Sequence, residues 1–372
     1  MPQIAESTGS HRIVHHRQGV AASGIVVNPA VDGPRVCVRE VSVVVATYNR
    51  PDSLGRLLDD LTKQSVGTLD RSLVEIIVAD DGGSSDLVPV FPVTSPFDLT
   101  IVAQPNGGPA AARHLGISLS SGRVVVVVDD DMRVGPGFLQ AHLDAHTGGA
   151  DVVYGLIQGD SEIGPLFARY HQMHIDRWLD ECRAGDVPRG DRLCTGNVSF
   201  SRAAYDSVGG FDTSLVRCED RDLGIRLEQA EYRFAYCEAA LSTHDSGIHD
   251  TAEWRRRNEI YGGSDVVIST KHHSNQGLSP WAFLADLPKP VHPLLVVVAA
   301  APALSRPIGS MVYRIGECLD RRGRAAIAMR LAGLTYGIDY YGGAGRRWGG
   351  PKPALSALRS WVRKGRQRVV TP

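Results

Sequence analysis

Residues Arg123–Arg133 read RVVVVVDDDMR, five consecutive valines followed at once by three aspartates. A valine run without polar alternation does not suit a strand with one wet face. It suits a strand covered on both sides, as in a parallel α/β sheet. Such sheets bind ligands in the crevice beyond the carboxyl ends of their strands, where Asp129, Asp130 and Asp131 would stand. Three carboxylates this close raise one another's pKa unless a cation neutralises them. Hard oxygen donors beside a crevice point to Mg2+ or Mn2+, carried in with a phosphate-bearing substrate. An isolated acidic triplet is equally at home as a solvated turn, so the neighbouring segments decide.

Upstream, Val41–Thr47 (VSVVVAT) reads as a strand and Tyr48-Asn49-Arg50-Pro51 as a loop. Asp52 or Ser53 then caps a helix through about Gln64, with Leu54, Leu57, Leu58 and Leu61 on its inner face. Leu73–Ala79 forms a second strand ending at Asp80 and Asp81, with Gly82 and Gly83 behind, and Leu99–Ala103 a third. Asn106-Gly107-Gly108-Pro109 turns the chain into an alanine-rich helix, Ala110–Leu119, and the valine strand follows. This is a doubly wound layout in which two strands present carboxylates at the same edge. Downstream, the patterns predict a strand at Asp151–Gln158, a helix at Pro165–Cys182 and a strand over Leu193–Ser201. A helix at Glu219–Gln229 and short extended runs at Arg233–Tyr236 and Ala239–Thr243 follow, then His244. Helices and loops fill the rest.

A net charge of -1 over 372 residues argues against wholesale nucleic-acid binding, which needs a basic footprint. The six cysteines are scattered, with no CxxC pair, and read as reduced thiols of a cytosolic protein. The first residues carry no apolar signal core, and no stretch reaches the roughly 20 apolar residues that span a bilayer. The nearest is Leu294–Leu304, interrupted by Pro302, which reads as a buried or interfacial helix. After Asp339 there is no acid, while Arg346, Arg347, Lys352, Arg359, Arg363, Lys364, Arg366 and Arg368 follow. Leu355, Leu358, Trp361 and Val362 recur among them at helical spacing. Two readings of this tail stand side by side in a chain expected to be cytoplasmic: a basic amphipathic helix in peripheral contact with the inner face of a membrane, or an ordinary solvated tail helix. Four regions result: a flexible arm over 1–39, with an added strand at GIVV and a solvated His11, His15, His16 group; a catalytic domain over 40–250; a helical region over 251–345; and the basic tail over 346–372.

Six segments occur in a telling order: VSVVVATYNRP, IIVADDGGSSD, PNGGPAAARHLG, VVVVVDDDMRVGPGFL, GNVSFSRAAYDSVGGFD and CEDRDLGIRL. Together, from about Val41 to His244, they resemble the family 2 glycosyltransferases of GT-A fold. The resemblance implies an α/β fold, a doubly wound and mostly parallel sheet with a helical C-terminal extension. It implies a nucleoside-diphosphate-sugar donor, with Thr47, Tyr48 and Asn49 contacting base and ribose. Asp81 would accept the imide N–H of a uracil, while Asp80 holds the loop. Arg113 would lie near the diphosphate, as would Asp129 and Asp130. Asp129 and Asp131 take the DxD positions for Mn2+ or Mg2+, with His244 as a third ligand. Glu219-Asp220 matches the family's acidic pair, Asp220 acting as general base toward the acceptor hydroxyl. The acidic pair of that family precedes Gly-Ser directly, whereas here Gly82-Gly83 lengthens the loop by one residue.

Gly196 and Asn197 are expected to shape the acceptor wall, and Trp178, Trp254 and Arg255–Arg257 either touch an acceptor or simply pack. The QxxRW signature of processive synthases is missing, which favours single addition. The acceptor is open among a lipid-linked glycan, a small molecule and a protein. Two rivals are a retaining GT-A enzyme and a catalytically inactive protein that binds nucleotide-sugar or membrane. A nucleotidyltransferase would carry a Gly-rich, Lys/Arg-bearing signature near the first strand, and YNRPDS is not that.

Overall fold

The computed structural model describes residues 11–15, 39–67, 69–83, 95–159, 164–215, 217–244, 250–273 and 275–368. The chain divides into two compact units, residues 1–160 with 179–247, and residues 161–178 with 248–372. The segment 161–178, expected within the catalytic domain, therefore groups with the helical region.

The first unit is built on a mixed sheet whose described strands are β1 (His11–His15), β2 (Arg39–Thr47), β3 (Val74–Asp80), β4 (Asp98–Ala103), β5 (Gly122–Val128), β6 (Met132–Val134), β7 (Val152–Gln158), β8 (Asn197–Ser201) and β9 (Phe234–His244). Their order is β1-β4-β3-β2-β5-β8-β7-β9-β6. The run from β1 to β5 is parallel; β8 then runs antiparallel between β5 and β7. The valine run behaves as its pattern requires, since Val124 to Val128 are all 0% exposed. On one face α1 (Pro51–Thr62) brings Leu54, Leu57, Leu58 and Leu61 against Val41, Val43, Val45, Ile76, Val124 and Val126. Each fully buried leucine contributes about 1.5–3 kcal/mol of transfer free energy. On the other, Ala112 of α2 (Pro109–Leu119) packs with Ile77, Ala79 and Val102. Cover on both faces is the reason the strand shows no alternation.

Several local expectations change. α1 opens at Pro51, whose fixed φ suits the first helical position, and neither Asp52 nor Ser53 is its cap; the N-cap is Arg50, with no side-chain cap bond. Residues 193–196 lie ahead of β8 rather than in it. The two short runs after Arg233 are one strand, β9, interrupted by a bulge where its partner moves from Cys237 opposite Gly155 to Leu241 opposite Leu156. The edge strand β1, the short β6, α3 (Phe138–Thr147) and α5 (Arg202–Ser207) were not predicted, whereas α4 (Leu166–Arg183) lies where a helix was expected. The GIVV segment, 24–27, lies outside the described residues.

The second unit contains α7 (Thr251–Lys271), α8 (His292–Ala300), α9 (Ser305–Arg321), α10 (Ala325–Trp348) and α11 (Pro351–Arg368). Trp254 is 1% exposed and packs with Tyr170, Tyr313 and Ala332, so it is a core residue and not an acceptor contact. Arg255 pairs at 2.7 Å with the fully buried Asp339. The α7 and α10 backbones touch: a Cβ on Gly262 would fall on the Tyr340 carbonyl, and one on Gly343 on the Glu259 carbonyl.

The apolar stripe of α11 is not a free surface. Ala354, Leu358 and Trp361 belong to the same core as Trp281 and Trp348, and Val362 alone among its large apolar side chains is exposed, at 39%. Of the four apolar residues expected to form a stripe on the tail, Leu358 and Trp361 pack on this core and Leu355 is half-buried. No single described helix is long and apolar enough to cross a membrane.

Candidate active site

In-register pairing sets the site. Thr47 lies opposite Asp80 across β2 and β3, and Val44 opposite Val127 across β2 and β5. The carboxyl ends of three adjacent strands thus bring together Thr47 to Arg50, Asp80 with Asp81, and Asp129 to Asp131. The antiparallel β8 places Asn197 opposite Val128, so the chain just before it runs beside Asp129. A Cβ on Gly196 would stand 3.7 Å from Asp129 Oδ2 and 3.6 Å from Cys194 Sγ.

Asp81 is 5% exposed, and its carboxylate accepts from Gln104 Nε2 at 2.8 Å, Gly107 N at 2.8 Å and Gly108 N at 2.9 Å. It holds the loop that leads into α2. The turn behind it needs glycine, because Gly82 has φ +79° and a Cβ there would stand 2.8 Å from Gln104 O and Asn106 N. Asp80 accepts from Gly83 N at 3.0 Å, and burial raises its pKa despite that bond. Loop-holding, expected of Asp80 alone, is therefore shared, and Asp81 has the larger part.

The three aspartates point three ways. Asp130 turns inward, accepting from Thr47 Oγ1 at 2.8 Å and from Arg50 at 3.1 Å. Burial raises its pKa, against the Thr47 bond and the Arg50 charge. Thr47 and Asp130 are only 3% and 5% exposed, and the bond between them ties two strand ends together. Tyr48 is 50% exposed, and Asn49 adopts φ 55°. Asp131 Oδ2 pairs with Arg50 at 2.7 Å, and its Oδ1 is 3.9 Å from His244 Nε2. Asp129 turns to Arg113, at 2.6 Å, with a third of its side chain exposed. Among the described residues no group of three or more His, Cys, Asp or Glu could hold a metal ion by itself; Asp129, Asp131 and His244 are not one preformed ligand set.

Arg113, buried in α2, bridges to the helix on the far side. Its guanidinium donates to Asp129 and, also at 2.6 Å, to Glu219. Burial works against its charge but is outweighed by Asp129, Glu219 and Asp220, so its pKa is raised. Glu219, Asp220 and Asp222 form the first turn of α6 (Glu219–Gln229), entered through Cys218 in a left-handed conformation without a side-chain cap. Asp220 sits deep among protein atoms yet keeps a partly open edge. Burial first, then the Glu219 charge, push its pKa up to about 6, against the Arg221 N–H at 2.7 Å and the charge of Arg113. Cys194 has surface open to solvent, and its thiol is pushed up to about 12 by desolvation from the surrounding walls and by Asp220 and Asp129.

Asn197 is not part of an acceptor wall. It is 1% exposed, and its amide donates to the Ala240 carbonyl at 2.8 Å and the Leu156 carbonyl at 3.1 Å. Its oxygen meets His142 Nε2 at 2.9 Å. His142 Nδ1 is 2.9 Å from Ser199 Oγ, which is 2.8 Å from His146 Nε2. Three functional candidates had no assigned role in the sequence reading: Arg50, Gln104 and Cys194. Arg50 alone had a usable signal, a cation three residues past a strand end that must face acidic neighbours.

The family model described as glycosyl transferase family 2 matches residues 42–207. The uncharacterized glycosyltransferase YwdF of Bacillus subtilis is 31% identical over 229 residues, 60% of this chain and 81% of that protein. The pre-mycofactocin glycosyltransferase of Mycobacterium tuberculosis is 29% identical over 244 residues, 63% of this chain and 48% of the relative, so the chain spans about half of that protein's length. A solved mannosyltransferase, PcManGT from Pyrobaculum calidifontis in complex with GDP-Man and Mn2+, is similar over 82% of this chain and 89% of its own, at 18% identity and a TM-score of 0.48. With the family model over residues 42–207 and a relative 31% identical that the chain covers over 81% of its length, the chain belongs to glycosyl transferase family 2.

Proposed function

We propose that the chain transfers a sugar from a nucleoside-diphosphate-sugar, with UDP as the carrier, to an acceptor hydroxyl with inversion at the anomeric carbon, and that Asp220 is the general base. The observation that carries this reading is the Asp220 carboxyl, partly open, with a pKa near 6 and joined to Asp129 through Glu219 and Arg113. A carboxylate with that pKa is mostly ionised at neutral pH, yet it is a stronger base than an ordinary aspartate. It takes the proton of the acceptor hydroxyl as the oxygen attacks, and the bond between the anomeric carbon and the diphosphate breaks.

The chain's own residues prepare the donor side. The half-exposed ring of Tyr48 offers the base a stacking face. Asp81 Oδ2 accepts one bond, from Gly108, and a carboxylate oxygen has capacity for a second, toward a uracil imide. Arg113 fixes the orientation of Asp129 and neutralises Glu219. The donor set at Asp129 and Asp131 fits a hard divalent cation, because an ion arriving with a diphosphate needs only one or two carboxylates. Mg2+ or Mn2+ bound there would neutralise charge on the departing diphosphate, with His244 beside Asp131. As to the acceptor, a small molecule, a lipid-linked glycan and a protein all offer the hydroxyl this chemistry needs.

Replacing Asp220 with Asn tests the reading. Transfer should fall by about 10²–10⁴-fold while donor binding, followed by calorimetry, is kept. Undiminished transfer would remove Asp220 as base. The anomeric configuration of the product, read by NMR, separates inversion from retention. A thermal-shift screen of UDP-, GDP- and dTDP-sugars with Mn2+ identifies the donor, since a ligand bound by the native state raises stability.

A further inference from the structure

The apolar arc of α9 is wider than the core it packs against. Gly309, Val312, Tyr313 and Gly316 are buried. Met311 and Ile315, 57% and 48% exposed, continue the arc into solvent, as does Leu304 just ahead of the helix at 41%. Residues 304, 308, 311 and 315 recur at helical spacing and form one line along the helix. The preceding α8, HPLLVVVAA, has no acid, Lys or Arg and leaves Val297 51% exposed. Single exposed apolar side chains are ordinary on a soluble protein; a periodic line of them is not.

The charge around this line has one sign. Residues 289–363 hold twelve Lys or Arg against three acids, in a chain whose net charge is -1. Two of those acids are engaged, Asp320 with Arg169 at 2.5 Å and Asp339 with Arg255 at 2.7 Å. Arg314, Arg321, Arg322 and Arg324 are exposed. Lys289–Ala300 and Pro302–Arg321 together have the length and composition of a membrane segment, but bend apart by 113°. Neither half is both long and apolar enough to cross a hydrocarbon layer of about 30 Å by itself. A helix that is apolar on one side and cationic on the other lies in the headgroup plane.

We propose that the α8–α9 face docks on an anionic lipid bilayer, with Val297, Leu304, Met311 and Ile315 entering the acyl boundary and Arg314, Arg321, Arg322 and Arg324 meeting lipid phosphates. A second copy of the chain fits the face less well, because self-association would bring two arginine rims together. The proposal does not depend on the transfer chemistry.

The test is co-sedimentation of the full chain with vesicles of pure phosphatidylcholine and of phosphatidylcholine with phosphatidylglycerol at roughly 2:1. The native chain binds the anionic vesicles and not the neutral ones. M311S/I315S weakens that binding by about tenfold to a hundredfold, and Arg321→Gln with Arg322→Gln by about fivefold per arginine, both with an unchanged circular dichroism spectrum. Failure to bind either vesicle, or equal binding by a folded M311S/I315S chain, overturns the proposal. So does a concentration-dependent dimer in sedimentation velocity that M311S/I315S dissociates, since a second copy then covers the face. Should M311S/I315S not fold, the arginine variant and the comparison of the two lipids still decide.

Discussion

Acidification should weaken the sheet-bearing unit through two buried histidines. His142 is 0% exposed and His146 7%, and burial pushes the pKa of each down to about 4 from an ordinary 6.5. Between these two values the unfolded chain binds more protons than the folded one, so stability is lost as pH falls from above 6.5 toward 4. From pH ~7.5 to ~5 each histidine costs about 2 kcal/mol, and the pair about 4 kcal/mol, a large share of a typical 5–15 kcal/mol total. An opposing argument comes from the hydrogen bonds. Asn197, His142, Ser199, His146 and the Ala150 carbonyl are joined by four contacts of 2.8–2.9 Å. Two neutral imidazoles and one hydroxyl supply only three hydrogens to such a chain, so one added proton would complete it. We expect burial to win, because the added charge would be shut away from water.

Asp220 and Asp339 work in the other direction. Their folded pKa values of about 6 lie above the ordinary 3.8, so they contribute stability at low pH that is lost as pH rises through about 6. The native slope is therefore a sum, and a differential measurement isolates the histidines. The assay is urea unfolding of the native chain and of His142→Gln/His146→Gln at the two pH values. All five tryptophans lie in the helical unit, so unfolding should be followed by exchange of the β5 and β8 amides and not by fluorescence. The native chain should lose about 4 kcal/mol more than the variant on acidification. An equal loss would refute the titration argument, and a smaller loss in the native chain would show that completing the hydrogen-bond chain outweighs burial.

Arg113→Ala leaves Glu219 buried without its cation and should destabilise the chain by about 3–5 kcal/mol in urea unfolding; a change near zero would mean that the bridge is not formed in solution. Arg50→Ala frees the Asp131 carboxylate from its guanidinium and should tighten Mn2+ binding roughly severalfold in calorimetry with a nucleoside diphosphate present. Weaker binding would instead place Arg50 on the substrate. Gly262→Ala puts a methyl group on the Tyr340 carbonyl and should cost about 3 kcal/mol, seen as a lower melting temperature reported by tryptophan; an unaltered melt contradicts the close α7–α10 approach.

Local patterns alone determined much of this protein. The uninterrupted valines of β5 announce a strand covered on both faces, the four leucines of α1 a helix on a core, and the ordered acidic motifs a resemblance to the family 2 glycosyltransferases. Such signals are readable because covalent spacing fixes periodicity. Side-chain direction at the strand ends is another matter. Asp129, Asp130 and Asp131 are adjacent in sequence, yet one meets Arg113, one Thr47, and one Arg50 and His244. Asn197 looked like a cleft residue because it follows Gly196, and became a core residue because Gly155 leaves room for it: a Cβ there would fall on the Asn197 side chain. The stripe of α11 read as free because the sequence does not reveal that Trp281 and Trp348 share its core. Only tertiary structure decides such questions, since the partners that turn a polar group inward or cover an apolar one come from distant parts of the chain.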